Sequence, residues 1–387
     1  MDHPHWPRYM ANLIAGSLPQ WFLVVVSFLL GLAIGSFLNV VIYRLPRGES
    51  TVRPGSRCPA CGAFIGPLDN LPIISFLFLR GRCRNCHASI SPLYPTIEFL
   101  TGLVFALLIY FHGATWLTLA EMWMAAALIA LISIDARHQL LPDRITYPTF
   151  LIAILAPGLR ATLSASALDP HVALTFGDLG FSPSRAAILG AAILAGVIPL
   201  FWLLDMIDLI LFNKYLDWEA DGEDALPEVE DGEHRRYRRL LLVTSLIGVG
   251  LAIGWVIAVV FDSHRDPEIY QLMYEGLLEA IIGAFIAAGP LWLLRALYFY
   301  LRGAEGLGLG DIKLMAVVGA FFGWAGAILT LLLGSVGGLI LGIILARRGG
   351  GGLQTRLPLG VCLGLAALIV LLAGPPMIRW YMGIDHL

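Results

Sequence analysis

Charge is what this sequence has least of. Of its 387 residues, 14% are Asp, Glu, Lys or Arg and 58% are hydrophobic. That balance excludes an ordinary soluble domain of this length. No cleavable signal is evident, because the first apolar run, Trp21 to Val41, is long enough to span and has no basic flank before it. No glycine-rich nucleotide loop is evident, and no internal repeat stands out. Cysteine is sparse at five residues, yet four of them fall into two tight pairs. The net charge of −3 says little in itself, and no nucleic-acid partner is expected.

What is present is a series of apolar runs. They predict spans near residues 21–43, 95–111, 116–134, 145–160, 186–211, 240–261, 276–300, 313–323, 326–346 and 358–374. The fold class is therefore all-α, a polytopic transmembrane helical bundle of about ten spans. The eighth span is short and is expected to form a tight hairpin with the ninth through Gly323-Trp324. The segment from Arg44 to Pro95 carries Arg44, Arg47, Arg53, Arg57, Arg80, Arg82 and Arg84, so it is expected in the cytoplasm. Alternation from there puts Asp135, Arg137, the loop Asn213 to Arg239, Asp311 and Arg347-Arg348 on the same side. Leu163 to Ser184 and Asp262 to Glu275 then lie outside. Asp217 to Glu233 is acidic, the basic cluster Arg235 to Arg239 reads as an anchor for the next span, and Gly349 to Gly352 reads as a flexible connector. The expected domains are 1–43, an N-terminal segment with the first span; 44–95, a small cytoplasmic four-cysteine domain; and 96–387, the membrane domain.

Cys58-Pro-Ala-Cys61 and Cys83-Arg-Asn-Cys86 form two Cys-x-x-Cys knuckles between spans one and two. Their separation is close to that of a zinc ribbon, in which four thiolates hold a tetrahedral ion. Zinc suits such a set because it favours soft sulfur and holds together a segment that has no core. A cytoplasmic site argues against disulfides, and no βαβ pattern supports a redox pair. Four thiolates leave no open position, so the zinc is expected to be structural. His87 reads as a surface residue and Cys362 as packing within the last span.

Two carboxylates stand out at the ends of apolar runs. Asp311 follows Gly308-Leu309-Gly310 where Leu314-Met315-Ala316-Val317-Val318 begins. Asp135 reads as lying one residue past the run Ala125 to Ile134, where an acid opposes the helix dipole. Acids beside hydrocarbon are costly and call for a chemical explanation. A pair of aspartates can activate water to cut a peptide bond, and Gly308 and Gly310 would allow a sharp turn and close approach of a substrate strand. Helix capping accounts for Asp311 alone, and Asp143 reads as a cap for the span beginning near Ile145. On residue chemistry alone, an ion-coupled transport site remains an alternative.

Gly308-Leu-Gly-Asp311-Ile-Lys313-Leu-Met-Ala316 resembles the Gly-x-Gly-Asp-x-Lys-Leu segment of the bacterial prepilin peptidases, or type IV leader peptidases, which are GxGD-type membrane aspartic peptidases. Gly35 to Pro46, Ser56 to Cys86 with Asp69-Asn-Leu-Pro72, Ser91 to Glu98, and Ile134-Asp135 through Leu141-Pro142-Asp143 are similar to the same family, in order. The resemblance implies an aspartic endopeptidase of the bacterial inner membrane, facing the cytoplasm. It would remove the basic leader of type IV prepilins and pseudopilins, with Asp135 and Asp311 as its catalytic pair. Four-cysteine members also resemble bifunctional enzymes that methylate the new amino terminus with S-adenosylmethionine. Glu98 is expected to bind the substrate amine, to pair with Lys313 or to be a plain interfacial acid. Lys313 is expected to bias an aspartate toward ionisation or to snorkel to the interface. The region near 186–261 reads as a helical pair inserted relative to the family. Two other classes remain to be weighed: an ion-coupled transporter using the aspartates as cation sites, and a membrane-tethered zinc ribbon that only binds a partner.

Overall fold

The computed structural model describes residues 18–52, 55–168, 267–302, 306–349 and 359–382. Its helices are α1 (Gln20–Arg44), the short α2 (Ile74–Phe78), α3 (Leu93–His112), α4 (Trp116–His138), α5 (Asp143–Leu168), α6 (Pro267–Arg302), α7 (Leu309–Gly349) and α8 (Leu359–Met382). Among the described residues, five helical stretches are long and apolar enough to cross a membrane: 20–47, 93–112, 117–138, 279–302 and 309–344. The expected spans 186–211 and 240–261, the acidic loop and the basic cluster lie outside the described residues. The span expected at 145–160 falls on α5, which is not among these five. Two expected loops are partly helical, because α5 continues to Leu168 and α6 starts at Pro267.

Side-chain contacts fix how the helices run. α1 and α3 are antiparallel: Gln20 Nε2 donates to Tyr110 O at 3.0 Å and Asn39 Nδ2 to Tyr94 O at 3.1 Å. Between these bonds Gly31 and Gly35 press on the backbone of Gly102 and Glu98, an approach no larger residue permits. Gly113 and the Thr115 cap turn the chain into α4, where His112 Nδ1 meets Glu121 Oε2 at 2.6 Å. α4 and α5 are tied by Trp123 Nε1 donating to Thr149 Oγ1 at 3.3 Å.

α7 is broken at Gly323, which takes φ +71° and ψ −177° inside an otherwise helical run. The arms on either side run out and back. Gly326 lies near Val370 and Gly334 against Leu363, so the second arm is antiparallel to α8. The expected hairpin is therefore present, and its turn requires a residue that tolerates positive φ. Gly283 packs on Gly319, which sets α6 antiparallel to the first arm. Large apolar side chains such as Phe285, Leu293, Leu332 and Leu339 remain exposed on these helices, as lipid-facing residues do. As a result, the C-terminal ends of α1 and α4 gather with the N-terminal ends of α3, α5, α7 and α8 at one end of the bundle.

Candidate active site and cysteine cluster

Asp135 lies within the last turn of α4, not past its end, because the helix continues to His138. Gln139 then caps it at φ 51°, donating its N–H to Asp135 O at 3.0 Å. A carboxylate there opposes the dipole of its own helix, but the start of α8 offsets this. The Val361 N–H faces the Asp135 carboxylate, and Gly360 lies against it. Asp135 is 6% exposed, and among the described residues no hydrogen-bond partner reaches its Oδ2. A buried acid oxygen with no such partner calls for an explanation.

Asp311 sits in the first turn of α7, which opens at Leu309, so it is not the cap itself. Its carboxylate turns back toward Gly308 and across to Gly360. A methyl group added at Gly360 would lie 2.7 Å from Asp135 Oδ2 and 3.0 Å from Asp311 Oδ1. The two oxygens can be no further apart than the sum of those distances. Two acids far apart in the chain thus share one small space at the bundle end, and Gly360 keeps it open. Sequence reasoning missed Gly360; a glycine two residues after Pro358, at the start of an apolar helix, was the available signal.

The other expected residues occupy neighbouring positions. Neither Gly308 nor Gly310 has a positive φ, so a left-handed turn is not their purpose. A Cβ at Gly310 would meet Leu141 Cβ at 3.0 Å, so this glycine admits the α4–α5 connection instead. Lys313 is 5% exposed rather than snorkelling, and its Nζ lies 3.0 Å from Asp143 Oδ1. Asp143 is the first residue of α5 rather than its cap, since the Ile145 and Thr146 N–H groups bond to Pro142 O, and it receives this lysine. Glu98 has a different partner from the one expected: it accepts the Ile73 N–H at 2.7 Å and is 8% exposed. Ile73 itself takes φ 58°, a strained conformation for a β-branched residue.

The four cysteines converge at the same bundle end. The Sγ atoms of Cys58, Cys61, Cys83 and Cys86 all lie within 4.8 Å of one another, with Cys58 and Cys86 at 3.8 Å. Zinc–sulfur bonds of about 2.3 Å at tetrahedral angles put the sulfurs about 3.8 Å apart, so the set fits a four-coordinate ion. Backbone N–H groups of Cys86 and Asn85 directed at Cys83 bring its thiol down, while the Cys61, Cys83 and Cys58 thiols around Cys86 push that one up.

The knuckles are near copies. Cys58 N donates to Ala63 O as Cys83 N does to Ala88 O, and Gly62 N bonds Cys58 O as His87 N bonds Cys83 O. Bridges Arg57–Phe64 and Arg82–Ser89 close both turns. A repeat was therefore present: Arg57-Cys-Pro-Ala-Cys-Gly-Ala-Phe-Ile65 matches Arg82-Cys-Arg-Asn-Cys-His-Ala-Ser-Ile90. His87 is exposed as expected, and it also fills the left-handed position that Gly62 holds in the first copy. Arg84 grips Asp69 through Nε at 2.8 and 3.1 Å, holding that carboxyl below its ordinary range and tying the second knuckle to the Pro67–Asn70 turn. Cys362 is buried on α8, facing Gly337 and Gly338, as packing requires.

Comparison with known proteins places this geometry in context. Residues 29–112 match the Bacterial Peptidase A24 N-terminal domain, and residues 237–343 match the Type IV leader peptidase family. The first range contains the cysteines and Glu98, and the second contains Gly308 to Lys313, while Asp135 lies between them. A prepilin leader peptidase/N-methyltransferase of Neisseria gonorrhoeae is 35% identical over 267 residues, covering 60% of this chain and 82% of that one. Proteins of the same name from Pseudomonas aeruginosa and Aeromonas hydrophila are 27% identical over 382 residues and 28% over 393. They cover 93% of both chains, and 95% of this chain with 97% of its relative, respectively. No solved structure matches.

Proposed function

The chain belongs to the type IV leader peptidase family, and we propose that Asp135 and Asp311 are the acids with which it cuts the leader from prepilins and pseudopilins. The single observation that carries this reading is the approach of both carboxylates to Gly360 at one end of the bundle. The pair holds one proton between them. The ionised member takes a proton from water as the water oxygen attacks the scissile carbonyl carbon. The protonated member donates to the carbonyl oxygen as charge develops there. Collapse of the tetrahedral intermediate breaks the carbon–nitrogen bond, and a proton passes to the departing nitrogen. The leader leaves as a carboxylate, and the mature protein keeps a new amino terminus.

The end of the bundle that holds the site is the cytoplasmic one, since it also gathers Arg44, Arg47, Arg57, Arg80, Arg82, Arg84 and Arg137. A multi-pass protein of the bacterial inner membrane can then admit the apolar helix of a prepilin from the bilayer while the basic leader stays in water. Residues 44–95 act as a zinc-binding domain, with structural zinc on Cys58, Cys61, Cys83 and Cys86 tying its two knuckles together. Residues 96–387 form the peptidase domain. Methylation of the new amino terminus, the second activity in the relatives' names, extends to this chain. S-adenosylmethionine would supply that methyl group, and no described residue is tied to it.

A transporter finds no support. Relatives matched over nearly the whole chain are named as peptidases, and both acids lie at helix ends, whereas coupling ions are held at breaks near the midplane. The test is cleavage of a purified prepilin by the wild type and by Asp135→Asn and Asp311→Asn. Both variants should insert normally and leave the prepilin whole. Cleavage by either would rule out the assigned pair.

A further inference from the structure

We propose that Asp143 is a positioning residue for the aspartate pair and acts through Lys313, an inference that rests on the peptidase reading above. Lys313 lies two residues after Asp311, where the second turn of α7 begins. Successive helical residues are rotated by about 100°, so the two side chains leave the helix on nearly opposite sides. Asp311 turns to Gly360 and Asp135, and Lys313 turns to α5, where its Nζ meets Asp143 Oδ1 at 3.0 Å and lies 5.5 Å from the Tyr147 ring centroid. Gly310, between them in direction, takes the Leu141 side chain. The first turn of α7 is therefore held from several sides, and its rotation decides where Asp311 points.

The chemistry of the pair suits a positioning role. Lys313 is a buried cation one turn into a helix, near the end where positive charge is unfavourable. Asp143 offsets that charge, and as an acid in the first turn of α5 it sits at the favourable end of its own helix. The partners are 170 residues apart. Asp143 is also joined to Asp135 by a short connection, the Gln139 cap followed by Leu140, Leu141 and Pro142. Fastening Asp143 to Lys313 therefore sets the segment that carries one catalytic acid against the segment that carries the other.

The experiment is a double-mutant cycle on the full-length protein in detergent, with kcat and KM measured for a prepilin substrate. Asp143→Ala and Lys313→Ala should each lower kcat by about a hundredfold while KM moves by less than about threefold. The double variant should lose no more than the worse single one, since both remove the same interaction. Exchange of the charges, Asp143→Lys with Lys313→Asp, should restore at least about tenfold over Asp143→Lys alone, which a general loss of stability would not do. Asp143→Leu, which keeps the size and removes both acceptor oxygens, enters the same cycle should the alanine variant fail to fold. Wild-type kcat in Asp143→Ala or Asp143→Leu, losses that multiply in the double variant, or no gain from charge exchange would each overturn the proposal. A wild type that leaves the prepilin uncut defeats the peptidase reading instead.

Discussion

Gly360 lies so close to Asp135 that a single added methyl group would come within 2.7 Å of its Oδ2, and within 3.0 Å of Asp311 Oδ1. Real contacts of that kind require something to shift, and both neighbours carry the proposed chemistry. Gly360→Ala should therefore lower kcat by about a hundredfold with a smaller effect on melting temperature. Kinetics and thermal unfolding on the same preparation check it, and unchanged kcat would show that the acids have room to spare.

Gly310 and Leu141 make a second contact that can be relieved from the other side. Gly310→Ala should crowd Leu141, at 3.0 Å from the new Cβ, and displace the first turn of α7. Leu141→Ala in the same chain removes the obstacle, so cleavage by the double variant should exceed that of Gly310→Ala alone. Independent, multiplying losses would argue against this contact as the reason for the glycine.

Glu98 links the cysteine-bearing segment to a membrane helix through one backbone hydrogen bond, from the strained Ile73. Bonds to charged acceptors contribute about 1.5 to 3 kcal/mol, so Glu98→Ala should destabilise by that order. Glu98→Gln keeps an acceptor oxygen and should lose less. Limited proteolysis across residues 45–92 checks it: faster cutting is expected for the alanine variant, and equal cutting would show that the bond does not hold the segment down.

Metal analysis tests the thiol cluster. The full chain should carry about one zinc, and Cys58→Ser and Cys83→Ser, one from each knuckle, should each remove most of it. Unchanged content in either variant would defeat the assignment.

Much of this was legible in the residues. Asp135 and Asp311 stood out because acids beside apolar runs are rare, and Gly323 announced its hairpin because the run before it was too short to span alone. The cysteine pairs declared their chemistry by spacing. Other features needed the fold. Gly360 looks like any small residue in an apolar helix until two distant acids arrive beside it. The partner of Lys313 is 170 residues away, and nothing local favours Asp143 over Glu98. Asp135 was placed beyond its helix because the apolar run stops there, whereas backbone hydrogen bonding continues through Ala136, Arg137 and His138. The repeat of the two knuckles was readable, but it is short, and the stretch between its copies is unrelated to either.

Because Asp135 belongs to the closing turn of one membrane helix and Asp311 to the opening turn of another, the proposed pair requires the scissile bond to come to a fixed, shallow depth. A substrate settles in lipid at the level where its own sequence changes from charged to greasy. On that proposal the bilayer would serve as the measuring stick, and the position of that change along the substrate would select the bond that is severed.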